Sequence, residues 1–181
     1  MTKIEIKPCV GIILQDIGMV KLGQLRSEVE KLIGFPTKSQ SVSFESISVD
    51  QAFYDNYEFR IDYGKDNSIE FIEFIYGPFP ERIELNLFGI NPFKLDADEL
   101  IKILTEKNSG LVDTSSSPYI YSFQNISVGI WRESEPNDIM EMIQEKKEDG
   151  EYESDKDWLN EELEQSKHFW TIGMGKKDYY K

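Results

Sequence analysis

The sequence predicts an α+β fold made of two similar halves, each a helix packed on antiparallel strands, with an acidic helical insertion in the second half. Three observations carry that expectation. Runs of alternating apolar and polar residues recur along the chain, as half-buried strands require. Aromatic residues are plentiful at 13%, and they favour strands and large packed cores. Two segments with a period near 3.6 residues interrupt the strands, one in each half.

Val10 to Leu14 (VGIIL) reads as a short buried strand. Leu22 to Ile33 reads as a helix, with Leu25, Val29, Leu32 and Ile33 on one face, Gly34 at its C-terminal glycine position and Pro36 as a stop. Val42, Phe44, Ser46 and Ser48 suggest a strand by loose alternation. Tyr57, Phe59, Ile61 and Tyr63 alternate cleanly, Gly64-Lys65-Asp66-Asn67-Ser68 supplies turn chemistry, and Ile69 to Tyr76 forms the return strand of a hairpin. Gly77-Pro78-Phe79-Pro80 breaks the pattern. Ile83, Leu85 and Leu87 begin a new strand. A second helix follows, capped by Asp96 with Glu99 closing a capping box, faced by Leu100, Ile101, Ile103 and Leu104, and ended by Asn108-Ser109-Gly110. Tyr119, Tyr121 and Phe123 form one strand, and Ile126, Val128 and Ile130 the next.

The 181 residues suit a single structural unit, with a first half over 1–80 and a second over 81–181. A chain of this length buries most of its apolar surface without staples. Shifted by 73 positions, Leu14 meets Leu87, Ile17 meets Ile90, Lys21 meets Lys94 and Leu22 meets Leu95, which is the signature expected of an internal repeat.

The halves differ at one place. Between the strand ending near Arg132 and a last strand over His168 to Met174 lie residues 133–167, with 14 acidic and four basic residues and a net charge of −10. Most of the chain's net charge of −14 sits there. Ile139, Met140, Met142 and Ile143 suggest one short amphipathic helix, Trp158, Leu159 and Leu163 another, and Asp149-Gly150 the bend between them. A loop this long in a compact domain is usually functional or disordered.

The acidic balance argues against nucleic acid, whose phosphates demand Lys and Arg, and against anionic membranes. It suits a basic protein partner, or solubility alone. One cysteine, Cys9, permits no intrachain disulfide and fits a reducing compartment. The first residues are charged and lack the apolar stretch of a signal peptide, and no window is apolar enough for a membrane helix, so a cytoplasmic location is expected.

Candidate chemistry is sparse. One histidine, His168, and one cysteine fall short of a zinc ligand set. Cys9 suits a buried packing role better than a nucleophilic pair with His168, which reads as an ordinary strand-edge residue. Asp62 to Glu73 begins and ends like a calcium loop, yet Gly64 replaces a ligand and Asn67 stands where the sharp turn wants glycine. Gly173-Met174-Gly175-Lys176-Lys177 lacks the rest of a phosphate loop. No cofactor and no metal are expected. The insertion is the one feature with its own physical consequence, since clustered carboxylates attract a basic partner over long range. Its expected partner-binding residues are Glu141, Glu145, Glu148, Asp149, Glu151, Tyr152, Glu153, Asp155, Asp157, Trp158, Glu161 and Glu162, with Trp158 and Tyr152 as apolar anchors.

Gly23, Val29, Ile33, Gly34 and Pro36, followed by the Tyr57-to-Tyr76 hairpin, resemble a bacterial motif. It is found in the small lipoprotein domain of the outer-membrane barrel assembly machine and in the tandem β-lactamase inhibitor protein. That resemblance implies helices on one face of an antiparallel sheet, and protein binding without catalysis. The sequence departs from it at Gln24-Leu25, where the family carries Met-Ser or Met-Thr and so a helix cap. In outline the chain also resembles bacterial toxin-immunity proteins. The expected function is non-catalytic binding of a basic protein partner. The alternatives are a small enzyme using a carboxylate pair in a cleft between the halves, or a structural module.

Overall fold

Among the described residues, alternation of apolar and polar residues is resolved into twelve strands, and four α-helices join them. The computed structural model describes residues 1–44, 47–75 and 77–181. The strands are β1 (Thr2–Lys7), β2 (Gly11–Leu14), β3 (Gly18–Lys21), β4 (Lys38–Phe44), β5 (Ile47–Tyr54), β6 (Phe59–Tyr63), β7 (Ile69–Phe74), β8 (Ile83–Leu87), β9 (Val112–Asp113), β10 (Ile120–Phe123), β11 (Val128–Trp131) and β12 (Thr171–Gly175). The helices are α1 (Arg26–Ile33), α2 (Ala97–Asn108), α3 (Pro136–Glu148) and α4 (Tyr152–Gln165). The fold is α+β.

A small sheet has the order β3-β2-β1-β8 and a large one the order β4-β5-β6-β7-β12-β11-β10-β9. The chain before residue 80 supplies four neighbouring strands of the large sheet, the chain after it supplies the other four, and β7 and β12 meet antiparallel, with Phe74 opposite Ile172 and Ile72 opposite Met174. In the small sheet, β1 is flanked by β2, whose last residue is Leu14, and by β8, whose last residue is Leu87.

Period-two alternation gives the large sheet two unlike faces. The inner face carries Phe59, Ile61, Ile72, Phe74, Val128, Ile130, Ile172 and Met174, all buried. They join one hydrophobic cluster with Val29 of α1, Leu100 and Leu104 of α2, and Ile4, Ile6, Ile12, Leu14, Val20, Ile83, Leu85 and Leu87 of the small sheet. The outer face carries Gln51, Arg60, Asp62, Phe71, Glu73, Gly129, Trp131, Thr171, Gly173 and Gly175, as the registers of neighbouring strands require.

Several expectations shift. Val10 is half-exposed in the turn before β2. α1 starts at Arg26, not Leu22, because Gly23 sits at φ 81° in a turn. Its first turn is helped by the Glu28 carboxylate, which accepts the Leu25 N–H at 3.4 Å, while leucine has no side-chain oxygen to return the bond. Tyr57 lies in a 3-10 turn over Asp55–Tyr57, so β6 begins at Phe59. The loosely alternating run resolves into β4 and β5, with Ser46 outside the described residues, as is Tyr76 at the end of the expected β7. Asp96 does precede α2, but makes no side-chain cap. The first helical N–H, that of Ala97, donates to the Lys167 carbonyl at 2.7 Å, a partner from a distant element that sequence spacing does not reveal. His168 is buried ahead of β12 rather than at a strand edge.

Phe59 is fully buried among Tyr54, Tyr57 and Phe74, with ring centroids at 5.5, 5.8 and 5.7 Å. Phe59→Ala should cost about 3–5 kcal/mol by cavity formation, read as a fall in the urea midpoint; a loss below ~1 kcal/mol would contradict this account of the core.

Candidate functional site

The acidic segment leaves the large sheet from β11 and returns to it as β12, so its two feet stand on adjacent strands. Strand pairing runs up to Trp131 opposite Thr171 and is continued by the Trp170 N–H, which donates to the Trp131 carbonyl at 2.7 Å. Between the feet, α3 and α4 form a helical hairpin. The bend falls at Asp149-Gly150, where Gly150 takes φ 74°, a left-handed conformation that glycine adopts without strain. Pro136 opens α3 at a position where its missing N–H costs nothing. The Asp138 carboxylate accepts the Glu135 N–H at 2.8 Å.

One buried arginine fastens both feet. Arg132, 5% exposed, donates through Nε to the Pro118 carbonyl at 3.0 Å and through Nη1 to the Ser166 carbonyl at 3.3 Å. Its Nη2 lies 3.7 Å from the Glu135 carboxylate, and its guanidinium sits 5.3 Å from the Phe169 ring centroid. A single cation thus holds the start of α3, the carbonyl end of α4, and the loop before β10. A cation at a helix C-terminus is also favoured by the helix dipole. Tyr119 adds a hydroxyl bond to Asp138 at 3.1 Å. Ile139 on α3 and Leu159 on α4 are buried. The hairpin is therefore an ordered, anchored projection.

Its lysines are used locally. Lys146 reaches Glu151 at 2.6 Å and Asp155 at 3.0 Å, tying the two helices across the bend. Those carboxylates hold its ammonium well above the usual lysine range, and Lys146 in turn lowers the Asp155 carboxyl. Lys156 lies 3.9 Å from Glu153, and Lys167 pairs with Glu164. Lys147 and Lys156 sit 4.9 and 6.0 Å from the centroid of the Tyr152 ring. Three of the twelve expected partner-binding residues, Glu151, Glu153 and Asp155, are thus paired within the hairpin, and Tyr152 is half-buried beneath lysines.

The remaining carboxylates, Glu141, Glu145, Glu148, Asp149, Asp157, Glu161 and Glu162, make no ion pair with a lysine or arginine among the described residues. Glu141, Glu145 and Glu148 follow one another at helical spacing along α3, all exposed. Trp158 is 48% exposed, with Asp155, Glu161 and Glu162 at neighbouring helical positions. Of the two expected anchors, Trp158 is the one that faces solvent.

A second concentration of carboxylates lies at the middle of the large sheet's outer face. Arg60 and Glu73 stand opposite each other on β6 and β7. Arg60 lies 2.8 Å from Asp62 and 2.8 Å from Glu73. Gln51 donates to Asp62 at 3.5 Å, and the Thr171 hydroxyl donates to Glu73 at 2.8 Å. Burial pushes both carboxyls up, with Arg60 pulling the other way. Sequence reading passed over this group. Its signal was present in the hairpin register: Arg60, Asp62 and Glu73 occupy outward positions between Phe59, Ile61, Ile72 and Phe74. Arg132 was passed over too, since nothing local distinguishes a clamping arginine from a strand-end one.

A third set surrounds a surface pocket of about 460 Å³ lined by Asp55, Glu58, Phe79, Glu81 and Arg82. Here the Glu58 carboxylate accepts the backbone N–H groups of Glu81 and Arg82 at 3.0 and 3.1 Å, joining the β5–β6 turn to the approach to β8.

Cys9 and His168 have different neighbours. Cys9 is half-buried at φ 62° in the β1–β2 turn, its Sγ 3.9 Å from the Asn125 carbonyl, rather than packed in the core. His168 places Nδ1 2.9 Å from the Leu95 carbonyl and its ring edge-on to Phe79. Residues 64–68 form a tight turn in which Asp66 accepts from both the N–H and the hydroxyl of Ser68. Among the described residues no three His, Cys, Asp or Glu side chains group to hold a metal ion, and no helix is long and apolar enough to cross a membrane.

Comparison with known proteins finds no family model, no curated protein and no solved structure that matches the chain. The site is therefore read from its own chemistry.

Arg132→Met keeps an unbranched, flexible apolar stem and removes the guanidinium. It should cost about 2–3 kcal/mol, the scale of hydrogen bonds to a charged group, and speed amide exchange in α3 and α4 while β6 and β7 stay protected. Uniform exchange across the chain would refute the clamp. Asp62 and Glu73, with carboxyls raised in the fold, bind protons more tightly folded than unfolded. Their contribution is therefore most favourable below the unfolded values near ~4 and is lost as pH rises through the folded ones. Glu73→Gln should gain stability relative to the parent as pH rises from about 4 towards neutrality, measured by urea unfolding at each pH.

Proposed function

We propose that this chain is a non-catalytic protein-binding protein of the immunity or inhibitor type, which holds a basic partner domain on its acidic helical hairpin. The observation that carries the proposal is the hairpin's construction. It is clamped at both feet by Arg132, and it presents seven carboxylates without basic partners beside a half-exposed Trp158. Acids spread for solubility need no such anchoring. An ordered array of them raises a directional potential that speeds encounter with a positive surface. A partly exposed tryptophan then supplies the kind of aromatic anchor on which interface energy concentrates. The single cysteine suits a reducing, cytoplasmic setting, and the negative charge suits neither nucleic acid nor an anionic membrane surface. The two sets of four strands and their helices suit a duplicated ancestor into whose second copy the hairpin was inserted.

The partner is obtained by affinity capture from native lysate and then purified for kinetics. Its association rate should fall steeply as salt rises through ~0.1 M, where the screening length drops to ~10 Å. Combining Glu141→Gln, Glu145→Gln and Glu148→Gln should lower the association rate. Trp158→Ala should instead raise the dissociation rate, by roughly 30-fold for an anchor of about 2 kcal/mol. A partner whose rates are untouched by both changes binds elsewhere and removes the hairpin from the site.

A further inference from the structure

Part of the outer face of the large sheet is covered by the chain itself. Residues 177–181 fold back across β7, β12 and β11 and lay two tyrosines on them. Tyr179 stacks on Phe71 with centroids 4.8 Å apart and planes 13° from parallel, and Tyr180 meets Phe71 edge-on at 6.2 Å. Glycines make the room. A methyl group at Gly129 would sit 2.3 Å from the Tyr180 hydroxyl oxygen, and one at Gly175 2.3 Å from the Tyr179 ring. One at Gly173 would sit 2.2 Å from Phe71, the floor on which both tyrosines rest. Three outward positions on two central strands thus lack side chains where aromatic rings lie.

The covering segment is lightly held. Up to Lys176 the chain is tied to the body: its N–H donates to the Glu70 carbonyl at 3.1 Å, its carbonyl accepts from the Ser127 hydroxyl at 2.7 Å, and its ammonium donates to the Ser68 hydroxyl at 3.1 Å. Beyond it, the backbone bonds among the described residues are internal to the segment, Tyr179 to Lys176 and Lys181 to Asp178. Among the described residues, the close contacts that hold residues 177–181 on the sheet are the aromatic ones of Tyr179 and Tyr180.

What lies beneath is not what a structural cover favours. Beside the rings is the Arg60–Asp62–Glu73 group, with Asp62 only 7% exposed. Asp62 Oδ1 lies 2.8 Å from Arg60 Nε, yet neither atom has a well-aligned hydrogen bond. Roofing such a group withdraws charges from water, which costs energy that purely apolar neighbours would not incur.

We propose that this trough is a binding site for a partner segment carrying two adjacent aromatic residues flanked by lysines, and that residues 177–181 occupy it in the free protein. The occupant defines the chemistry: the sequence Lys176-Lys177-Asp178-Tyr179-Tyr180-Lys181 sets an aromatic pair between cations, and the surrounding face supplies Phe71, the glycine recess and the carboxylates of Glu70, Asp62 and Glu73. Ligand and covering segment compete for one place, so the apparent affinity is reduced by the fraction of molecules in which the segment is seated.

The probe is a labelled six-residue peptide of the sequence 176–181, followed by fluorescence anisotropy. The double variant Tyr179→Ala/Tyr180→Ala should bind it saturably, and the parent chain at least about tenfold more weakly. Adding Gly129→Val to the double variant should abolish binding, because in the parent the space at Gly129 is bounded by Tyr180. A peptide with both tyrosines replaced by alanine should not bind. The proposal is overturned by a folded double variant that ignores the peptide, by equal binding to parent and double variant, or by equal binding of the alanine peptide. Parent chains that dimerise with rising concentration by exchanging the segment would overturn the partner assignment in favour of a second copy. Should the double variant fail to fold, hydrogen exchange on the parent decides: excess peptide should release protection at residues 177–181 while β12 stays protected, and unchanged protection overturns the proposal.

Discussion

The antiparallel pairing of β7 with β12 joins two sets of four strands into one eight-stranded sheet, and most of the molecule's other features are set by it. On the inner face the pairing stacks Ile72 and Phe74 against Met174 and Ile172, closing the core under both α1 and α2. On the outer face the same register sets Glu73 beside Gly173 and Phe71 beside Gly175. A slip of one residue would exchange the faces, burying Glu73 and exposing Phe74. The core, the ionic group at the sheet centre and the glycine recess therefore stand or fall together. On its other side β12 pairs with β11, so α3 and α4 leave and return at neighbouring strands, which makes a hairpin of them.

Much of this was legible in the sequence where the signal was local. Clean alternation at Phe59, Ile61 and Tyr63 located β6, and the turn chemistry of residues 64–68 located the return. The period of α2 and the bend at Gly150 were equally plain. What escaped had causes beyond the neighbourhood of the residues concerned. β1 buries just Ile4 and Ile6, and β3 just Val20, through pairing of β1 with β2 and β8 and of β3 with β2. Asp96 precedes its helix as expected but its side chain makes no cap, while a carbonyl 70 residues on accepts the first helical N–H, that of Ala97. The run from Val42 alternates weakly because β4 is the edge strand of the large sheet, where Ser39, Ser41 and Ser43 can face solvent without penalty. The twelve acidic and aromatic positions marked in the insertion do share one projection, yet sequence could not divide them into those that the hairpin's own lysines engage and those left to solvent.

That division follows from the energetics of a like-charged helix pair. Two helices carrying ten carboxylates between them repel each other unless cations intervene. Lys146 intervenes at the bend, where the helices are closest in sequence, and Arg132 intervenes at the feet. Between these two points Ile139, in the first turn of α3, and Leu159, midway along α4, are buried. The cations thus stand towards the two ends of the hairpin, while Glu141, Glu145, Asp157, Glu161 and Glu162 lie along its flanks without an ion pair among the described residues. Exposed ion pairs like those of Lys156 and Lys167 contribute little, because water screens them. The buried Arg132 contacts are of another kind, since removing either partner strands a desolvated group.

The hairpin and the glycine recess are carried by the same two strands. β11 runs from Val128, beside Gly129, to Trp131 and then Arg132; β12 runs back from Thr171, at the hairpin's foot, to Gly175, beside the recess. Four or five residues of strand at ~3.3 Å each put the two features roughly 13–17 Å apart along the sheet. A segment of five or six residues spans that distance when extended. A partner with a basic domain for the hairpin and a short aromatic segment for the recess would thus engage both through one rigid pair of strands. Seating the aromatic segment would require residues 177–181 to leave, and their departure would uncover the Arg60–Asp62–Glu73 group beside the newly bound chain. The carboxylates raised by burial in the closed state would return toward their ordinary range as water re-entered, or meet the lysines that flank the incoming rings. Either route lowers the cost of the buried charges, so the arrangement that is least comfortable in the free protein is the one that a cationic aromatic ligand is suited to relieve.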